Sequence, residues 1–299
     1  MSYVITIGKF ESIHRGHQTL LHQVVKHANQ LGLKSAAMVF SPHPNIFFNK
    51  DKNKEYIPIF TQEERDGLLA STGINQILTC KFDKNFANLS PQEFCQILFE
   101  EYNAKLLIVG ENYFFGKGRT GDVSLLKAEA TKYNADVKVI KISHSEKRTN
   151  ESGERPEIST SNIRKLLLNG DIQEANQELG FSFFIKGIVT KGKQIGRTIN
   201  FPTLNIYPYN KLLPPDGVYK TETIINGDVY NSISNIGLRP TINDIEKVRS
   251  VETHLLSYYG ACLYDTPIQV NFLEFIRPEH KFNSLEELKA QIEKDISLL

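Results

Sequence analysis

The chain opens with a short apolar run, Val4–Ile7, then a glycine, and within a few residues a helical repeat has begun. From Arg15 to Leu31 apolar side chains fall at Leu20, Leu21, Val24, Val25, Ala28 and Leu31, and Gly32 follows as a C-cap. A strand that turns directly into an amphipathic helix must be flanked by other strands before it can bury both faces. Ser35–Phe40 and Leu106–Val109, the latter ending in Gly110, supply such strands. Two capping boxes, Thr61-Gln-Glu-Glu64 and Ser90-Pro-Gln-Glu93, start helices between them. The alternation predicts an α/β fold: a parallel sheet with right-handed crossovers.

The second half has a different pattern. Phe183–Val189 and Tyr219–Ile225 are rich in aromatic and β-branched residues, and Ile268–Phe275 alternates. Asn226-Gly227 between Tyr219–Ile225 and Val229–Ile236 is a hairpin signal. A helix opened by a third capping box, Ser284-Leu-Glu-Glu287, closes the chain, with Leu285, Leu288, Ile292 and Ile296 on one stripe. About six strands and one helix in this span predict a small β-barrel. Polar Ser143–Glu157 reads as a loop, and a helical pattern over Ser161–Leu179 still resembles the first half. The boundary therefore falls near Phe181, giving domains 1–181 and 182–299.

Length and charge bound the function. At about 100–200 residues per domain, 299 residues make two domains. With 35 basic and 34 acidic side chains the net charge is +1, so no excess charge calls for nucleic acid or an anionic membrane. Cys80, Cys95 and Cys262 are far apart and form no CxxC pair, which suggests neither a zinc site nor a disulfide framework and fits a reducing compartment. The N-terminus lacks the charged and apolar regions of a signal peptide, and no segment approaches the ~18–20 apolar residues of a membrane span. A soluble cytoplasmic protein is expected.

The first candidate site is the turn Gly8-Lys-Phe-Glu-Ser-Ile-His-Arg-Gly-His17. Ligands of open parallel sheets bind at the carboxyl ends of strands, and a helix N-terminus offers free N–H groups to an anion. Gly8 and Gly16 permit close approach of a phosphate. His14 and His17 share a helix face and can donate hydrogen bonds to a triphosphate. As metal ligands they lack a third partner nearby; taken alone, the turn also admits incidental surface histidines.

The turn resembles the G-x-F-D-x-x-H-x-G-H signature of nucleotidyltransferases, specifically the FMN adenylyltransferase module of bacterial bifunctional riboflavin kinase/FAD synthetases. The resemblance continues in order through Phe40-Ser-Pro-His-Pro44, Val109-Gly-Glu-Asn-Tyr-Phe-Phe-Gly116 with Gly121-Asp122, and Ile158-Ser-Thr-Ser-Asn-Ile-Arg164 with Gly170-Asp171. It implies a Rossmann-like nucleotidyltransferase domain in which FMN phosphate attacks the α-phosphorus of ATP and pyrophosphate leaves. His14 and His17 then position the ATP phosphates, with Gly8, Phe10 and Gly16 around them. Asn112 and Asp122 hold nucleotide and flavin. Ser159, Thr160 and Arg164 form a second phosphate clamp, with Arg164 at the transition state. Two positions depart from the family pattern: Glu11 stands for aspartate and Ser12 for glycine.

The second candidate site is Gly187 to Asn205, where Gly187, Gly192 and Gly196 flank lysines, and Thr203 and Asn205 share a strand face. Oxygen ligands of this kind suit Mg2+ bridging ATP phosphates; the bland alternative is a basic hairpin. The stretch resembles the riboflavin kinase signature ending in Pro-Thr-Ala-Asn. Further matches are Pro215-Asp-Gly-Val-Tyr219, Asn235-Ile-Gly-Leu-Arg-Pro-Thr241, Val251-Glu-Thr-His-Leu255, and Arg277-Pro-Glu with Lys281-Phe282. The resemblance implies that Thr203 and Asn205 bind Mg2+ with ATP, that Gly192, Lys193 and Arg277 help hold ATP and flavin, and that Glu252 is the general base. Leu204 replaces alanine, and Ile199-Asn200 replaces Leu-Gly; Leu204 is expected to face away from the ATP ligands. Riboflavin, FMN and ATP are the expected partners, with FMN and FAD as substrate and product and not prosthetic groups. The substitutions at 11 and 12 leave one alternative, a riboflavin kinase with an impaired adenylyltransferase module. An RNA-binding use of the same folds finds no support in the charge balance.

Overall fold

The computed structural model describes residues 1–49, 56–141, 158–192, 195–240, 247–258, 260 and 262–297. The expected loop 143–157, and Lys193, lie outside the described residues. The chain forms two compact units, Met1–Thr160 and Ser161–Leu299.

The first unit runs β1 (Tyr3–Ile7), α1 (Arg15–Leu31), β2 (Lys34–Ser41), α2 (Pro44–Asn49), α3 (Gln62–Ser71), β3 (Gln76–Lys81), α4 (Lys84–Ala87), α5 (Pro91–Gln96), β4 (Ala104–Gly110), α6 (Val123–Lys132) and β5 (Asp136–Ile140). The five strands are parallel, in the order β3-β2-β1-β4-β5. Strand alternation splits the apolar residues between two cores. Ile5, Ile7, Met38, Leu107 and Val109 meet Phe94, Phe99 and Leu126 on one face. Val4, Val39, Leu106 and Ile108 meet Leu21, Val24 and Ala28 of α1 on the other. Burial on both faces explains why these strands read as continuous apolar runs. Both expected capping boxes are present, at Thr61/Glu64 and Ser90/Glu93. The strand order reverses between β1 and β4, which opens a crevice at their carboxyl ends.

The second unit contains α7 (Thr160–Asn169, whose first residue closes the first unit), α8 (Ile172–Leu179), β6 (Phe184–Ile188), α9 (Ile195–Thr198), β7 (Leu204–Ile206), β8 (Gly217–Ile225), β9 (Asp228–Pro240), β10 (Lys247–Leu255), β11 (Pro267–Pro278) and α10 (Leu285–Ile296). Six antiparallel strands in the order β6-β11-β8-β9-β10-β7 form a nearly closed barrel. The Thr190 N–H donates to the Asn205 carbonyl at 2.8 Å and draws the two end strands together. Asn226 and Gly227, with φ of 52° and 95°, make the expected hairpin turn.

The compact units divide at 160/161, ahead of the expected domain boundary near 181, because α8 packs on the barrel: the Asn176 amide donates to the Phe272 carbonyl at 2.8 Å and accepts from the Phe183 N–H at 2.7 Å. Two details differ from the sequence expectation. The helical pattern over 161–179 is two helices, broken at Gly170 with φ 86°. The third capping box is offset: Ser284 accepts from the Glu287 N–H at 3.2 Å, but the Glu287 carboxylate accepts from the Asn283 N–H at 2.9 Å.

The barrel interior holds a buried hydroxyl ladder. Thr223, Ser232, Thr221, Ser234 and Thr253 are linked in that order by side-chain hydrogen bonds of 2.8–2.9 Å. Each hydroxyl has a partner, so their burial carries no orphan-donor penalty. Among the described residues no helix is long and apolar enough to cross a membrane.

The barrel's closure gives a test. A Cβ added at Gly187 would lie 2.8 Å from the Ile206 Cβ, where β6 and β7 converge. Gly187→Ala is expected to destabilise the second unit by about 1–3 kcal/mol and to leave the first unit's unfolding midpoint unchanged. Urea unfolding followed by amide hydrogen exchange reads both.

Candidate active sites

Between β1 and α1 the chain must leave the sheet and begin a helix within residues 8–14. It does so with two side-chain-bearing residues in left-handed backbone, Phe10 at φ 46° and Ile13 at φ 45°. For a β-branched residue such as Ile13 this conformation is strained, and it persists only where its surroundings over-determine it. Those surroundings are visible. Phe10 and Ile13 are fully buried, and the Gln18 side chain donates to the Ile13 carbonyl at 2.8 Å. Buried Glu11 accepts from the Tyr56 hydroxyl and from the Ile59 N–H at 3.2 Å, with His43 Nε2 at 3.6 Å. Ser12, wholly buried, shares a 2.9 Å hydrogen bond with the Thr160 hydroxyl. The two departures from the family signature are thus anchors of the turn.

His14 caps α1. Its Nδ1 accepts from the His17 N–H at 3.3 Å, so the ring proton sits on Nε2. The two imidazoles stack, centroids 3.8 Å apart. Burial lowers the His14 pKa to about 4; burial first, and the His14 ring second, hold His17 well below the usual histidine value. Both rings are therefore neutral donors near neutral pH. His17 Nδ1 is buried with no hydrogen-bond partner among the described residues.

The turn forms one wall of a cleft of about 470 Å³. Gly8, Phe10, His14, Gly16 and His17 line it from this side; Asn112, beyond β4, and Ser159 and Thr160 complete it. Eight of the expected residues therefore converge at the switch point. Asp122 does not line it; its carboxylate caps α6, accepting from the Leu125 N–H at 2.8 Å. Arg164 stands one turn along α7 from Thr160, in the second unit, and is not among the lining residues. Lys9, Arg119 and Lys141 also line the cleft and were missed. Lys9 lay in the motif at a variable position, and Arg119, stacked over Phe114 at 5.2 Å, lay between the family's marked residues.

The barrel carries a second cavity, of about 420 Å³. Strand register explains its floor. Asn205 of β7 pairs with Glu252 of β10, Glu252 with Asn235 of β9, Asn235 with Val218 of β8, and Val218 with Arg277 of β11. All five line the cavity, a single rung across five strands. Thr203 and Gly192 also line it, while Leu204 does not. The Arg277 guanidinium grips buried Asp295 of α10 at 2.7 and 3.0 Å. Asn200 has φ 67°, a conformation glycine adopts freely and asparagine tolerates, so the substitution preserves the turn.

The metal expectation can be tested on this donor set. A Cβ on Gly192 would lie 2.6 Å from the Asn205 amide nitrogen, so the glycine leaves room beside that carboxamide. Among the described residues no group of three or more His, Cys, Asp or Glu could hold a metal. Neutral oxygens of Thr203 and Asn205, with phosphate and water supplying the rest, fit Mg2+ and not a closed protein cage.

A family model described as FAD synthetase matches residues 1–153, and one described as riboflavin kinase matches residues 179–299. A Bacillus subtilis (strain 168) protein named bifunctional riboflavin kinase/FMN adenylyltransferase is 34% identical, over 98% of this chain and 90% of its own. Its Escherichia coli (strain K12) namesake is 36% identical over the same shares. The chain belongs to the bifunctional riboflavin kinase/FMN adenylyltransferase family. A solved Streptococcus pneumoniae structure titled as a macrolide-efflux protein superposes with a TM-score of 0.84 at 27% identity, over 99% of this chain and 93% of that one. The family fold thus accounts for both compact units.

The imidazole pair sets a pH dependence. The folded-state pKa of His14 lies below its unfolded value of 6.5, so its contribution to stability is present above pH 6.5 and lost as pH falls towards 4. The first unit is expected to lose stability across that window, and NMR titration should place the His14 midpoint near 4. An added triphosphate should raise it, since nearby negative charge favours the imidazolium. A His14 midpoint near 6.5 without ligand would contradict the burial.

Proposed function

We infer that the barrel cavity phosphorylates riboflavin to FMN and that the parallel-sheet cleft adenylylates FMN to FAD. Both activities belong to the family, and the observation that carries the division of labour is that each cavity is lined by one compact unit alone. We assign the kinase module to 182–299, the span expected from sequence.

In the cleft, the FMN phosphate oxygen attacks the α-phosphorus of ATP and pyrophosphate leaves. The nucleophile is already an anion, so no strong base is needed and the protein's work is positioning and charge neutralisation. His14 offers its Nε2–H, and the His17 ring lines the cleft beside it. The N-terminus of α1 opens on the same space at Gly16, which lines the cleft. Asn112, Ser159 and Thr160 face the same space. Arg164 follows Thr160 by one turn, the spacing of a shared helix face, and we keep it as the transition-state cation.

In the barrel, Glu252 is the general base: it accepts the proton of the ribityl 5′-hydroxyl as that oxygen attacks the γ-phosphorus and ADP departs. The rung places its carboxylate between Asn205 and Asn235. We propose that Thr203 and Asn205 hold Mg2+, which supplies charge neutralisation on the ATP phosphates. Arg277, fixed by Asp295, orients the flavin end. Cys80, Cys95 and Cys262 are free thiols, in keeping with a cytoplasmic enzyme.

Product analysis from riboflavin with MgATP tests the reading: FMN should appear first and FAD after it. His17→Ala should cut FAD formation by about 10²-fold or more and spare FMN formation. Glu252→Gln should suppress the kinase by roughly 10²-fold or more while added FMN is still adenylylated. Equal loss of both steps in either variant would refute two independent sites.

A further inference from the structure

Ser12 stands where the family signature carries glycine, yet its side chain is neither idle nor exposed. It is 0% exposed, and its hydroxyl lies 2.9 Å from that of Thr160. Thr160 lines the cleft; Ser12 does not. We propose that Ser12 is a positioning residue that fixes the direction of the Thr160 hydroxyl proton, making Thr160 a preset donor to a phosphate group in the cleft.

The argument is one of donor counting. A hydroxyl has one proton to give and two lone pairs. When Ser12 donates to Thr160 Oγ1, the Thr160 proton must point elsewhere, and the open side of Thr160 is the cleft it lines. Ser12, wholly buried, has no other side-chain partner among the described residues, so its proton is satisfied only by donating to Thr160; a phosphate, which accepts and never donates there, favours the same arrangement. Without Ser12 the Thr160 proton samples its rotamers, and the phosphate must order it on binding. The neighbouring anchors make the geometry firm. Glu11 on one side and Ile13 on the other are held by the hydrogen bonds to Ile59 and Gln18, which fixes the backbone that carries Ser12. A glycine at this position leaves the same backbone path but no donor behind Thr160.

The inference rests on the adenylyltransferase reading of the cleft, and the two can fail separately. A preset donor acting on phosphates charged before reaction adds uniform binding, which changes KM and not kcat. One hydrogen bond of about 1 kcal/mol corresponds to about a five-fold change. For FAD formation, Ser12→Ala is expected to raise KM by about five-fold with kcat altered less than two-fold. A rise in KM for ATP places the phosphate on the nucleotide; a rise in KM for FMN places it on the flavin. Thr160→Val should show the same loss, and Ser12→Ala added to it should cost nothing further. Thr160→Ser, which keeps the hydroxyl, should recover most of the KM that Thr160→Val loses. Additive losses in the double variant, or a fall in kcat at unchanged KM, would overturn the proposal. If the parent chain forms no FAD, the adenylyltransferase reading fails instead. The same cycle is then read from MgATP dissociation constants in an Asn205→Ala background, chosen to weaken nucleotide binding in the barrel cavity, and non-additivity still decides the role of Ser12.

Discussion

The adenylyltransferase half depends on how the backbone gets from the end of β1 into α1. A parallel strand delivers its carbonyl end to the crevice, and the helix that follows must present free N–H groups to the same space. Only a few residues join them, and the path runs through left-handed backbone at Phe10 and Ile13. That strain is held by buried contacts on every side: the Glu11 carboxylate on residues 56–59, Ser12 on Thr160, and Gln18 on the Ile13 carbonyl. The stacked imidazoles are a consequence. His14 can cap the helix with Nδ1 only because the turn brings its ring over His17, and that cap fixes which nitrogen carries the proton.

The barrel solves a similar problem by register. No local motif brings Asn205, Glu252 and Arg277 together, since they are widely separated in sequence. Antiparallel pairing through Asn235 and Val218 does. The floor of the cavity therefore depends on each hairpin keeping its phase, since a slip of one residue would turn the carboxylate to the opposite face. The Asn226-Gly227 turn and the Thr190–Asn205 closure are what hold that phase at two edges.

Much of this was legible in the chain. Strands β1, β2 and β4 and helix α1 announce themselves by period and caps, and the turn between β1 and α1 by its glycines and histidines. What sequence missed shares a physical cause. Asp122 reads as a ligand residue because it sits beside the ligand motifs; its carboxylate also caps α6, a role that spacing alone does not mark. The position of α8 depended on Asn176 reaching the Phe272 carbonyl, a contact across almost a hundred residues. Lys141 enters the cleft through tertiary packing and carries no local mark. The substitution at Asn200 became intelligible once φ was known.

The hydroxyl ladder within the barrel has an evolutionary corollary. Thr223, Ser232, Thr221, Ser234 and Thr253 satisfy one another in series, so replacing any one by valine or alanine strands the neighbour that depended on it. An all-apolar interior and an all-hydroxyl interior are both viable, while the intermediates between them are penalised. Such a chain of partners resists stepwise drift and tends to be inherited whole, as a block whose members change together or not at all.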